Sequence, residues 1–135
     1  MVLLHEDLTG KIRQIAFETH RYFRNGFLEK VYENALTHRL RKAGLRVEQQ
    51  SPIMVRDEDG TAVGEYFADL LVEGVVIVEL KAVQALTDDH LAQVINYLKA
   101  TGYDLGLLVN FGSKVIQFKR VAYSINGATV DTETA

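Results

Sequence analysis

The sequence predicts an α/β domain with a mixed central sheet flanked by helices, in the element order ααβββαββ. Three features of the chain point there. Apolar residues recur at helical spacing on both sides of Asn25-Gly26. Two strand-like apolar runs then meet at Glu73-Gly74, and Thr87 opens another helical segment before the last strand-like runs.

The first helix is predicted over residues 8–24, with Leu8, Ile12, Ile15, Ala16, Thr19 and Phe23 on its inner stripe. The second spans residues 28–43, with Leu28, Val31, Ala35, Leu36 and Leu40 inward and Gly44 at its end. Residues 45–55 read as a strand interrupted by Ser51-Pro52. Proline cannot donate to a ladder, so this strand belongs at or near a sheet edge. A polar turn at residues 56–60 leads to strands over 62–72 and 76–82. Thr87 caps a helix reaching about residue 100, with Asp88 and Asp89 favoured by the helix dipole and Leu91, Val94, Ile95 and Leu98 buried. Strands over 104–110 and 114–121, joined by Phe111-Gly112-Ser113, complete one domain over residues 1–126. The polar residues 127–135 read as a disordered tail.

At 135 residues the chain has room for one core and little else. It lacks cysteine, which excludes a disulfide framework, a thiolate zinc site and a cysteine nucleophile. No apolar run approaches the ~20 residues of a membrane span, and the opening residues do not read as a signal peptide, so the cytoplasm is the expected compartment. Phosphate-binding Walker loops and Gly-x-Ser-x-Gly elbows are absent. The net charge of −3 is unevenly spread, since residues 1–46 carry +4 and the remainder −7. Lys30, Arg39, Arg41, Lys42 and Arg46 cluster on or just after the second helix. They are either a phosphate-tracking face or the solvated side of an amphipathic helix.

The hairpin over residues 69–81 places Asp69, Glu79 and Lys81 inside apolar strands, where unpaired charge is costly. Register decides what they can do. A two-residue loop would put Glu79 opposite Ala68, on the other face from Asp69. A three-residue loop, Glu73-Gly74-Val75, with Gly74 at positive φ, puts Asp69 opposite Glu79 with Cβ atoms roughly 5 Å apart. The odd loop is the expectation. Two facing acids then call for a divalent cation, the chemistry of metal-assisted phosphodiester cleavage, with Lys81 on the same face.

These residues carry a resemblance. Gly26, Glu29 and Tyr32 stand at GxxExxY spacing, followed by Gly64 to Asp69, Glu79-Leu80-Lys81, Gln93 to Tyr97 and Gly106 to Gly112. Over residues 8–122 the chain resembles the GxxExxY family, a branch of the PD-(D/E)xK nuclease superfamily. The resemblance implies a restriction-endonuclease-like core with the acids at a split edge of the sheet. It also implies Mg²⁺- or Mn²⁺-dependent hydrolysis of nucleic acid, DNA before RNA, with 5′-phosphate and 3′-hydroxyl products.

Glu29 falls beside Leu36, Leu40 and Tyr32 on a helical wheel, at the margin of the inward face. The resemblance makes it a third metal ligand beside Asp69 and Glu79, and adds the Leu80 carbonyl. Together the three acids set −3 against the single +1 of Lys81, and the remaining −2 matches one divalent cation. An ammonium has no lone pair to act as a base, so Lys81 reads as the group that orients the attacking water and stabilises charge on the phosphorane oxygens. Gln93 and Tyr97 form one helical stripe with His90, and the resemblance sets them next to the lysine or the substrate backbone. His90 either holds a phosphate or rides the helix edge. His5, His20 and His38 show no ligand spacing and read as surface residues. The alternative to an enzyme is a nucleic-acid- or protein-binding module that retains this fold. A homodimer is compatible with either, because cutting both strands of a duplex needs two sites.

Overall fold

A computed structural model describes residues 5–134. The elements are α1 (Glu6–Phe23), α2 (Glu29–Lys42), β1 (Val47–Arg56), β2 (Ala62–Val72), β3 (Val76–Lys81), α3 (Asp88–Thr101), β4 (Leu105–Asn110), β5 (Gln117–Ser124) and β6 (Gly127–Thr134). The strands form a single mixed sheet in the order β1-β2-β3-β4-β5-β6. Only β3 and β4 run parallel, joined across the sheet by α3; the other neighbours are antiparallel. β1 lies at the edge, as Pro52 requires, with Pro52 opposite Phe67. No helix among the described residues is long and apolar enough to cross a membrane.

Residues 127–134 are not a disordered tail. They form β6, which pairs with β5 from Ser124↔Gly127 to Gln117↔Thr134. The polar composition hides an alternation: Ala128 and Val130 interleave with Thr129 and Asp131, and Val130 packs on the core. That pattern suits an edge strand with one solvated face. The element order is therefore ααβββαβββ.

The two faces of the sheet are covered differently. α1 and α2 lay Ile12, Ala16, Tyr32, Leu36 and Leu40 against Val72, Val78, Leu80, Val109 and Phe111. α3 lays Val94, Tyr97 and Leu98 against Ala68, Leu71, Ile77 and Leu108 on the opposite face. Strand alternation then decides where the charges go: Val76, Val78 and Leu80 face the helix pair, which leaves Glu79 and Lys81 on the α3 side.

α2 is rotated from the expected stripe. Leu28 and Val31 are exposed, while Tyr32, Glu33, Leu36, Thr37 and Leu40 are buried. The cause is Tyr32, whose ring stacks on Phe111 at 5.0 Å and 13°. Its hydroxyl donates to the Arg24 carbonyl and accepts from the Phe27 amide at 3.1 Å. Burying this large ring with its hydroxyl satisfied outweighs burying Val31. His20 is also buried rather than at the surface, with Nε2 3.0 Å from the Ser113 carbonyl and its ring beside Phe111.

The connection after β4 closes tightly on the end of β3. A Cβ at Gly112 would lie 2.2 Å from the Val83 nitrogen and 2.3 Å from the Ala82 carbonyl carbon. Both contacts are to backbone, so neither can swing away. Gly112→Ala is expected to cost at least about 1–3 kcal/mol, the usual cost of overpacking, read as a lowered urea midpoint. An unchanged midpoint would show that the segment after Lys81 is free to move.

Candidate active site

The β2–β3 ladder holds for only three pairs, Val72↔Val76, Leu71↔Ile77 and Leu70↔Val78. The loop is thus the odd one, with Gly74 at φ 68° and Glu73 at φ 53°. Arg46 secures it, since Glu73 Oε2 accepts the Arg46 amide at 2.7 Å and the Glu73 amide donates to the Arg46 carbonyl. Continuing the register sets Asp69 opposite Glu79, on one face, as the chemistry demands.

There the strands part and the two acids take over the backbone hydrogen bonds. Glu79 Oε1 accepts the Asp69 amide at 2.7 Å, and Asp69 Oδ2 accepts the Leu80 amide at 2.9 Å. The Lys81 carbonyl accepts from Phe111 beyond β4, so Leu80 points its own amide and carbonyl the other way, into the gap beside β2.

α2 brings further acids to the same place. Glu29, in its first turn, lies against Asp69 and the Ala82 amide. Glu33, one turn on, is buried and accepts from Lys30 Nζ and Gln49 Nε2 at 2.8 Å and from Gln50 Nε2 at 2.9 Å. Gln50 Nε2 also reaches Asp69 Oδ1 at 3.3 Å, coupling the two carboxylates. To do so Gln50 takes φ 52° in mid-strand, a strained value for a non-glycine residue. Glu33 and Gln50 were missed from sequence. The signal was the i,i+4 spacing from Glu29 to Glu33, obscured by the expectation that Leu28 and Val31 face inward.

From the other face, Lys81 Nζ donates to Gln93 Oε1 at 3.1 Å, and Gln93 Nε2 donates to the Tyr97 hydroxyl at 3.0 Å. His90 stays outside this chain and closes a capping box: its Nδ1 accepts the Thr87 amide at 3.0 Å, and its amide donates to Thr87 Oγ1 at 3.4 Å. His5 and His38 are exposed.

Crowded, desolvated acids resist ionisation. Burial, then the charge of Asp69, pushes the Glu79 carboxyl up to about 8. Burial also raises Asp69, against the opposing pull of the Leu80 amide, and Glu33 adds to the rise. Glu29 is raised by partial desolvation and then by Asp69. Lys81 pulls all three down and does not offset the rest. The phenol of Tyr97 is pushed up to about 12 by burial and by the charges of Glu79 and Asp69. Fully ionised, the four carboxylates (Glu29, Glu33, Asp69, Glu79) would face two ammonium groups (Lys30, Lys81), again leaving −2. That donor set suits a hard divalent cation. Among the described residues no three His, Asp or Glu side chains already converge as a group to hold one. The best fit is the pair Asp69–Glu79, in which a backbone amide occupies one oxygen of each carboxylate.

The five expected basic contacts do not share one open face. Lys30 pairs with Glu33, Arg41 donates to the Val47 carbonyl at 2.7 Å, and Arg46 pairs with Glu73 at 3.3 Å. Arg39 lies 5.5 Å over the Tyr22 ring, and Lys42 is exposed beside Glu18 and His38. Only Lys30 adjoins the acids; Arg39 to Lys42 lie about 14–18 Å further along α2, at 1.5 Å rise per residue.

Neither a curated protein nor a solved structure matches the chain. A family model described as the PD-(D/E)XK nuclease superfamily matches residues 6–121, which include every residue of the site above. Members of that superfamily generally hydrolyse phosphodiester bonds with divalent metals such as Mg²⁺ or Mn²⁺. The chain belongs to the PD-(D/E)XK nuclease superfamily.

Proposed function

We propose that this protein is a metal-dependent nuclease of the GxxExxY kind that hydrolyses nucleic-acid phosphodiester bonds, DNA in preference to RNA. The observation that carries this reading is the pair Asp69–Glu79, facing across the parted strands with Lys81 beside it on the Gln93 amide. Asp69, Glu79 and Glu29, with the Leu80 carbonyl, are the groups that would hold Mg²⁺ or Mn²⁺. Bound there, the cation supplies Lewis-acid polarisation of the phosphate and a more acidic water.

The protein's own residues do the rest. The Lys81 ammonium orients the attacking water and meets the charge that grows on the phosphorane oxygens. Gln93 holds that ammonium by its carbonyl, and Tyr97 fixes the amide so that the carbonyl, not the NH₂, faces Lys81. Lys30 offers a cation at the mouth, and Arg39, Arg41, Lys42 and Arg46 are left for the more distant backbone of a long substrate.

Incubation with a panel of DNA and RNA substrates tests this. Cleavage is expected with Mg²⁺ or Mn²⁺, lost with EDTA, and lost in Asp69→Asn, with 5′-phosphate ends that a ligase accepts. Metal binding by calorimetry with no cleavage of any substrate would replace the enzyme with a binding module of the same fold.

A further inference from the structure

We propose that the groove between α3 and the β1–β2 hairpin takes a single strand of nucleic acid, with one base stacked on Tyr66. This rests on the nuclease reading and names its substrate class. The groove encloses about 740 Å³ between Met54, Arg56 and Tyr66 on the sheet and Gln93, Asn96 and Lys99 on α3. Gln93 and Tyr97 line it as well, so the groove begins where the hydrogen-bonded chain from Lys81 ends.

Tyr66 is the informative residue. It shares with Ala68 the face covered by α3, yet the residue is 52% exposed whereas Tyr97 is 5% exposed. The two ring centroids are 5.7 Å apart and tilted by 45°. One aromatic residue is thus packed into the protein, and its neighbour is left half-exposed at the groove wall, against the ring whose hydroxyl holds Gln93. An open aromatic face beside a phosphodiester-cleaving centre is a platform for a nucleobase.

Charge on the walls agrees with a polyanion. Arg56 and Lys99 line the groove against Asp89 alone, a local excess of +1 on a chain of net −3. Arg56 spends one donor on the Gly60 carbonyl at 3.0 Å, and a guanidinium keeps four more. In a duplex each base face is covered by its neighbours, so a single aromatic platform selects for an unpaired strand.

Fluorescence anisotropy with a short labelled DNA strand, alone and as a duplex, tests the proposal. EDTA prevents turnover, so binding is read separately from cleavage. The single strand is expected to bind more tightly than the duplex. Tyr66→Ala should weaken the single strand by about tenfold or more, with Tyr66→Phe within about twofold of the parent. Lys99→Gln should reduce the slope of log affinity against log salt by about 0.7. Circular dichroism establishes that each variant is folded; should Tyr66→Ala unfold, the Lys99→Gln slope and the strand preference decide. Equal affinity for both forms, or single-strand binding indifferent to Tyr66→Ala, overturns the proposal. An inactive protein that still binds single strands through Tyr66 refutes the hydrolysis reading alone. Active enzyme whose strand binding ignores Tyr66 refutes this inference alone.

Discussion

Lys81→Ala is expected to lower turnover by about 10²–10³-fold while KM for the nucleic acid stays within a fewfold. The split follows from where the ammonium sits. It faces the acids and is tethered to Gln93, so its charge matters most when negative charge grows on the phosphorane. A ground-state phosphate that enters the metal pocket meets this charge less, which leaves KM largely intact. Gln93→Ala removes only the tether. Its loss should be smaller, and smaller again when Gln93→Ala is measured in a Tyr97→Phe background, because the hydroxyl is what orients the amide. Turnover unchanged by Lys81→Ala, measured under single-turnover conditions, would remove this mechanism.

Metal-free protein is expected to lose stability as pH rises from about 5 to about 8. Glu79 titrates near its ordinary value of 4.5 when unfolded and at about 8 when folded. Between those values the folded state keeps a proton that the unfolded state has released, so stability falls with pH across this window and levels off above it. Asp69 and Glu29, also raised, act in the same direction at the acid end. The loss is on the order of a few kcal/mol. Unfolding in urea with EDTA at several pH values measures it. Glu79→Gln should flatten the curve and be more stable than the parent near pH 8. Saturating Mg²⁺ should restore the parent, by about 2.7 kcal/mol at a hundredfold excess over Kd. Metal-free stability that rises over this window would contradict the crowding of acids described here.

The hairpin was legible because strand alternation is strict. Once Asp69 and Glu79 were required on one face, only an odd loop satisfied them, and Gly74 marked where it turns. Pro52 placed β1 at the edge for an equally local reason, its missing donor. α2 was less legible because a helical wheel counts apolar residues without weighing their size or their hydrogen bonds. Tyr32 turned the helix and brought Glu33 inside. Gln50 was beyond reach, since its φ of 52° is imposed by carboxylates distant in sequence. Asn110 was hidden for the same reason. Fully buried at the end of β4, its Oδ1 accepts the Val83 and Gly112 amides and its Nδ2 donates to the Val83 carbonyl, pinning the segment that follows Lys81. Residues 127–134 were misread because polarity outweighed alternation.

The parting of β2 and β3 has a consequence for how such a site can decay. Asp69 and Glu79 stand in for missing main-chain acceptors, so their oxygens belong to the sheet as much as to any reaction. Asparagine and glutamine keep an acceptor oxygen at each position, whereas alanine strands two amides in a desolvated gap. If the proposed cleavage activity were lost, a descendant could drift to the amides and keep its shape, but it could not shed these side chains. Lys81 has no such second duty to the main chain. Its loss, beside acids that persist, is the form in which extinction of activity would first be written into a sequence of this fold.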